Sequence, residues 1–265
     1  MENVIYIEKD ELRGERRLGQ ELLGKLLGGL PETPRTGLTT HAQAVLEKIP
    51  MKKTGEPYQT RYDLGQEGAV KLPGFDEFHV LLNYETDDEG KKLGQFDQLA
   101  YVDGPQDEQG NVTPNPVIAT LEFYKGKWYA LFHLRWRQLM KNWGEGWMAD
   151  FPGGRLPVGE TTESGAWILL EKTFGKGEIL HMQVDSEAFI TGNRAVNANP
   201  AFTFLAVVTG EWERSTDPGG YQIIDRQWFA IPLESRIQIP DALVNGAFSY
   251  AQSCWEAGDL KAFEK

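Results

Sequence analysis

The sequence predicts an α/β fold with a helical N-terminal extension. Three observations lead there. Strand-like patterns begin near Phe75 and recur on both sides of one central helix, an amphipathic helix pattern closes the chain, and the first 50 residues space their leucines as helices do.

Taken in order, residues 1–50 carry Leu12, Leu18, Leu22, Leu23, Leu26, Leu27 and Leu30 at mixed spacings of three and four, followed by Val45, Leu46 and Ile49. Gly14, Gly19, Gly24, Gly28 and Gly29 interrupt that run. Each interior glycine costs a helix about 0.5–1 kcal/mol relative to alanine, so the segment needs packing against the main domain or a second subunit. The second option makes it a candidate homodimerisation arm. Residues 51–74 are rich in proline, glycine and charge and read as a connector. A domain over 75–265 follows. Its first strands are expected at Phe78 to Tyr84 and Gln98 to Val102, ahead of a polar loop from Asp103 to Pro116. Val117 to Phe123, the turn Lys125-Gly126-Lys127 and Trp128 to Trp136 form the strongest hairpin signal in the chain, dominated by aromatic and β-branched residues. Ile179 to Val184, Phe202 to Thr209 and Tyr221 to Ile231 read as later strands, and Pro240 to Trp255 as the closing helix. There is no internal repeat.

Composition bounds the function. A chain of 265 residues, 40% hydrophobic and 11% aromatic, has ample material for a buried core. Its net charge of −12 argues against nucleic acid or an anionic membrane as partner, since both attract basic surfaces. No apolar run is long enough for a membrane span. One cysteine, Cys254, allows no intrachain disulfide, and the N-terminus combines no basic segment with an apolar core, so a cytoplasmic location is expected. His41, His79, His133 and His181 are scattered without metal-ligand spacing, and no phosphate-cradling glycine loop of the P-loop or dinucleotide type is present.

The stretch that carries chemistry is Gly154-Arg155-Leu156-Pro157-Val158-Gly159-Glu160, followed after seven residues by Ile168-Leu169-Leu170-Glu171-Lys172-Thr173-Phe174-Gly175. It resembles the Nudix box: Gly154, Glu160, Leu170 and Gly175 fall in register, Ala166 occupies a usual small position, and Asp150-Phe151-Pro152-Gly153-Gly154 is similar to the strand end that precedes the box in members acting on ADP-ribose and nucleotide sugars. The resemblance spans roughly 75–258 and is specific at 150–175. It implies an α/β/α sandwich with a mixed sheet and a nucleoside-diphosphate-type ligand. The second half of the box departs from the family. Ile168 stands for its arginine, Leu169 for its first glutamate, and Lys172 and Thr173 for its glutamate pair. In the family those acids hold divalent metal.

Cleaving a diphosphate requires cations that neutralise the phosphate oxygens and activate water, and Mg²⁺ is held by hard carboxylate oxygens. Leucine and threonine supply no such charge. Glu171 does not replace Leu169, because at 100° per residue it points about 160° away. Glu160 and Glu163 remain as weak metal candidates, or they simply favour the first turn of a helix through its dipole. The expectation is therefore a degenerate Nudix-like domain that binds a ligand such as ADP-ribose, or serves as an interaction scaffold. The alternative is an active Mg²⁺-dependent hydrolase using Glu160, Glu163 and an acid from the 209–220 loop, where Glu211, Glu213 and Asp217 lie and where relatives place a catalytic base.

Further ligand candidates are Gly154, Arg155, Lys172, Arg135 and Arg137. Lys172, at a former metal-ligand position, is either a point charge for a diphosphate or a solvated lysine near a helix C-terminus. Arg135 and Arg137 share one side of a strand and offer paired donors suited to phosphate, or are surface charge; Gln138 and Lys141 lie close by in sequence. Trp136, Trp143 and Trp147 either stack an adenine or fill the core.

Overall fold

The computed structural model describes residues 4–32, 70–71, 78–83, 98–103, 116–137, 146–154, 156, 160, 162–174, 178–189, 202–209 and 228–264. Among these, ten strands and three α-helices are set out as β1 (Val4–Tyr6), α1 (Gln20–Leu26), β2 (Val70–Lys71), β3 (Phe78–Asn83), β4 (Gln98–Asp103), β5 (Val117–Tyr124), β6 (Lys127–Trp136), β7 (Trp147–Asp150), α2 (Thr162–Phe174), β8 (Glu178–Phe189), β9 (Phe202–Thr209), β10 (Trp228–Pro232) and α3 (Ala242–Ala257). The fold is mixed α/β. A seven-stranded sheet runs in the order β1-β10-β6-β5-β9-β8 with β7 paired to β6, and β2-β3-β4 form a separate three-stranded sheet.

The β5–β6 hairpin is the centre of the large sheet. Its two-residue turn places Lys125 at φ 48 and Gly126 at φ 78. Two consecutive left-handed residues match the right-handed twist of the flanking strands, and glycine takes the second position without strain. Alternation along β6 then divides the core. Trp128, Ala130, Phe132 and Leu134 enter one buried cluster together with Phe229, Ile231, Phe248 and Ala251, whereas Tyr129 and Leu131 enter a second with Ile118, Ala166, Leu169, Leu170 and Ala230. The first cluster is covered by α3, which buries Val244, Ala247, Phe248, Ala251 and Cys254 along one stripe. Asp241 caps that helix by accepting from the backbone N–H groups of Leu243 and Val244, and Gly258 at φ 87 ends it. The second cluster is covered by α2.

The sheet forks beside Phe132. On one side of β6 runs β10, pairing from Trp228↔His133 to Pro232↔Tyr129. Elsewhere β6 pairs with β5 as far as Leu131 and with β7 from His133 to Trp136. Beyond β7 the chain turns to β5: the Ile118 N–H donates to the Pro152 carbonyl at 2.8 Å, and Gly153 bridges Val117. A Cβ on Gly153 would lie 2.9 Å from the Pro116 carbonyl oxygen, which is why the position takes glycine. The segment leading into the box thus fills the fork.

Two stretches differ from the sequence reading. The N-terminal segment is not wholly helical: β1 pairs in parallel with β10, and Ile7, Leu12, Leu18, Leu22, Leu23 and Leu27 are buried in the α3-side core of the same chain. The apolar face that a second subunit could have covered is covered internally, because an exposed row of leucines is costlier than packing on the adjacent sheet edge. The connector range holds β2, paired with β3 at Val70↔Val80. Of the strand expected at Tyr221 to Ile231, residues 221–227 lie outside the described residues, and Trp228–Pro232 form β10. Among the described residues no helix is long and apolar enough to cross a membrane.

Candidate functional site

Arg135, at the end of β6, and Arg137, just beyond it, follow His133 at intervals of two. Alternation therefore puts all three on the α2 face of the sheet. Asp150, the cross-strand partner of His133, comes up on that face too. Its carboxylate is 6% exposed and receives both guanidinium groups on one oxygen: Arg135 Nη1 donates to Oδ2 at 3.1 Å and Arg137 Nη2 at 2.8 Å. The other oxygen, Oδ1, accepts the Phe151 N–H at 3.0 Å. Two guanidinium ions thus share one carboxylate, and their side chains stay 44% and 38% exposed. A buried carboxylate is stable only when its oxygens are satisfied, and here it fixes two half-exposed arginines side by side with one positive charge in excess.

The box meets this cluster through Phe151 to Gly154. Gly154 has φ 154, a value side-chain-bearing residues rarely adopt, and a Cβ there would meet Leu169 Cδ2 at 3.3 Å. Leu156 is buried and rests against Gly165 of α2, where any added Cβ would run into it. Leu169 and Leu170 are both buried in the α2-side core, while Glu171 is exposed. The Thr173 hydroxyl donates to the Leu169 carbonyl at 2.7 Å, so it is engaged with its own helix. Glu160 is exposed and accepts the Ser164 hydroxyl at 2.6 Å.

Of the sequence candidates, Arg135, Arg137, Gly154 and Glu160 therefore have described places, the first two converging on Asp150. Arg155, Glu211, Glu213, Asp217, Gln138, Lys141 and Trp143, and the side chains of Glu163 and Lys172, lie outside the described residues. Trp136 and Trp147 do not join the arginines. They contact each other edge to face at 5.3 Å and pack in the α3-side core, behind the sheet. Sequence reasoning missed Asp150 as an anchor, because only the β6–β7 register sets it opposite His133 and beside the arginines. It also missed Trp228, which stands on the arginine face opposite His133.

Two described positions where the box carries metal-binding glutamates hold no carboxylate here. Leu169 offers hydrocarbon, Thr173 has its hydroxyl committed to a carbonyl, and neither supplies the hard anionic oxygen that Mg²⁺ requires. No family model matches the chain, and no curated protein does. Solved structures do. An ADP compounds hydrolase aligns over 72% of this chain and 91% of its own, at 12% identity and a TM-score of 0.47. A MutT structure, from a study of the Aliivibrio salmonicida and Vibrio cholerae proteins, aligns over 46% of this chain and 80% of its own, at 13% identity and a TM-score of 0.33.

Proposed function

We propose that this chain is a Nudix-like domain that binds a nucleoside-diphosphate-type ligand, such as ADP-ribose, and lacks the family's metal-dependent hydrolysis. The observation that carries the reading is Leu169. The position that bears the box's first metal-binding glutamate is filled by a leucine 8% exposed, packed with Leu156, Ala166 and Leu170 beneath the helix. A charge placed there would have to leave water without a partner, so the substitution is built into the core. Binding is supported separately by the arginine pair. Each half-exposed guanidinium offers paired donors that suit phosphate oxygens, and together the two carry one charge more than their carboxylate neutralises.

Titration of the purified protein with ADP-ribose, with and without Mg²⁺, and an assay of the same mixtures for AMP release test the reading. Heat of binding independent of Mg²⁺ and no AMP is the expected result; AMP release that requires Mg²⁺ would establish the active-hydrolase alternative instead. Lys172 enters as a phosphate contact in this proposal, and Lys172→Glu is expected to weaken ADP-ribose binding about tenfold or more. Unchanged affinity removes the lysine from the site.

A further inference from the structure

Among the described residues, the face that presents Arg135 and Arg137 carries a large aromatic ring beside them, that of Trp228. Trp228 opens β10 as the direct cross-strand partner of His133, and Arg135 follows His133 by two residues on the neighbouring strand. Trp228 and Arg135 are therefore diagonal neighbours on one face, a relation that spaces residues by about 7–8 Å. A ribose bridges a comparable gap between a nucleobase and its phosphates. Trp228 is half-buried and packs against the α2-side core. The His133 ring lies 5.4 Å away at an interplanar angle of 59°, tilted against the indole rather than stacked on it. The tryptophans that sequence alone offered for stacking, Trp136 and Trp147, pack behind the sheet.

We infer that Trp228 is the nucleobase platform of this surface, taking the flat ring of a nucleoside diphosphate whose phosphates Arg135 and Arg137 hold. The inference rests on the proposed reading of the arginine pair as the phosphate site. Stacking on an indole accepts any base, because every base has a π-face, so the platform recognises a nucleoside rather than one particular base.

The test titrates the full chain with ADP, UDP and inorganic pyrophosphate, in the wild type, Trp228→Phe, Trp228→Leu and Arg135→Gln. ADP is expected to bind the wild type about tenfold tighter than pyrophosphate, with UDP within a few-fold of ADP. Trp228→Phe keeps most of that increment. Trp228→Leu brings ADP down to the affinity of pyrophosphate and leaves pyrophosphate itself unchanged. Equal binding of ADP and pyrophosphate by the wild type, or ADP affinity that survives Trp228→Leu, overturns the platform. Pyrophosphate binding lost in Arg135→Gln but carrying no base increment would sink the platform alone; wild type that binds none of the three ligands sinks the phosphate site with it. Fluorotryptophan labelling decides the question should Trp228→Leu not fold. The ¹⁹F resonance assigned through Trp228→Phe must shift with ADP and stay in place with pyrophosphate, and a resonance unmoved by saturating ADP refutes the assignment.

Discussion

Leu169 shows at the scale of one residue how chemistry and packing compete for a position. Placing a carboxylate there, Leu169→Glu, is expected to destabilise the fold by about 3 kcal/mol or more, because it would lie without a partner among Leu156, Ala166 and Leu170. Urea denaturation checks it, and an unchanged midpoint would mean the side chain can escape to water. A second residue-scale prediction concerns Tyr6. Its hydroxyl donates to Glu122 Oε2 at 2.6 Å while its ring stacks on Tyr124 with centroids 3.9 Å apart. Burial first, then the Glu122 carboxylate, push the phenol well above its usual range. An unfolded tyrosine ionises near pH 10. The folded state keeps its proton above that value and the unfolded state loses it, so the stabilising contribution is intact below pH 10 and declines as pH rises further. Tyr6→Phe should remove this alkaline loss and cost about 1–2 kcal/mol at pH 7, since Glu122 is then half-buried without its donor. Thermal melts from pH 7 to 11 compare the two; parallel curves would contradict the link.

Single glycines decide how elements meet. Gly165 lets α2 settle on Leu156, and Gly126 closes the β5–β6 hairpin at φ 78. Gly126→Ala has open space around its Cβ and is expected to cost about 1 kcal/mol from backbone conformation alone. Gly165→Ala drives a methyl into a buried leucine, and overpacking of this kind costs about 1–3 kcal/mol. Chemical denaturation of both variants ranks them; a Gly165→Ala protein as stable as wild type would show that the Leu156 side chain yields freely. The hairpin was legible in sequence because its signal is local: a Lys-Gly turn between two runs of aromatic and β-branched residues. Strand β7 was not, since Trp147-Met148-Ala149-Asp150 is buried along its length and shows no alternation.

Across the whole molecule, the N-terminal 30 residues belong to the fold. They add an edge strand and six buried apolar side chains to the core, and they are tied to distant elements by Tyr6 to Glu122, Lys127 to Glu8 at 3.0 Å and Lys9 to Glu234 at 2.8 Å. The last two are exposed pairs and contribute little; burial of the leucines dominates. Deleting residues 1–30 is therefore expected to leave a chain without a cooperative thermal transition, measured by calorimetry. A sharp transition near that of the full chain would make this segment an appendage after all.

The sequence by itself determined the α/β class, the hairpin at the centre of the sheet, the closing helix and the fact that the box lacks acids at 169, 172 and 173, because these are matters of local period and residue identity. It offered Arg135 and Arg137, just upstream of the box, as ligand candidates and put them on one side of a strand by alternation. Only the tertiary structure decided that these arginines share the buried carboxylate of Asp150, that Leu169 is core, that Trp136 and Trp147 face away from them, and that Trp228 stands on their side of the sheet. The physical reason is the pairing register. Which strand lies beside which, and in what phase, brings together residues as far apart in sequence as His133 and Trp228, and no short-range pattern encodes that choice.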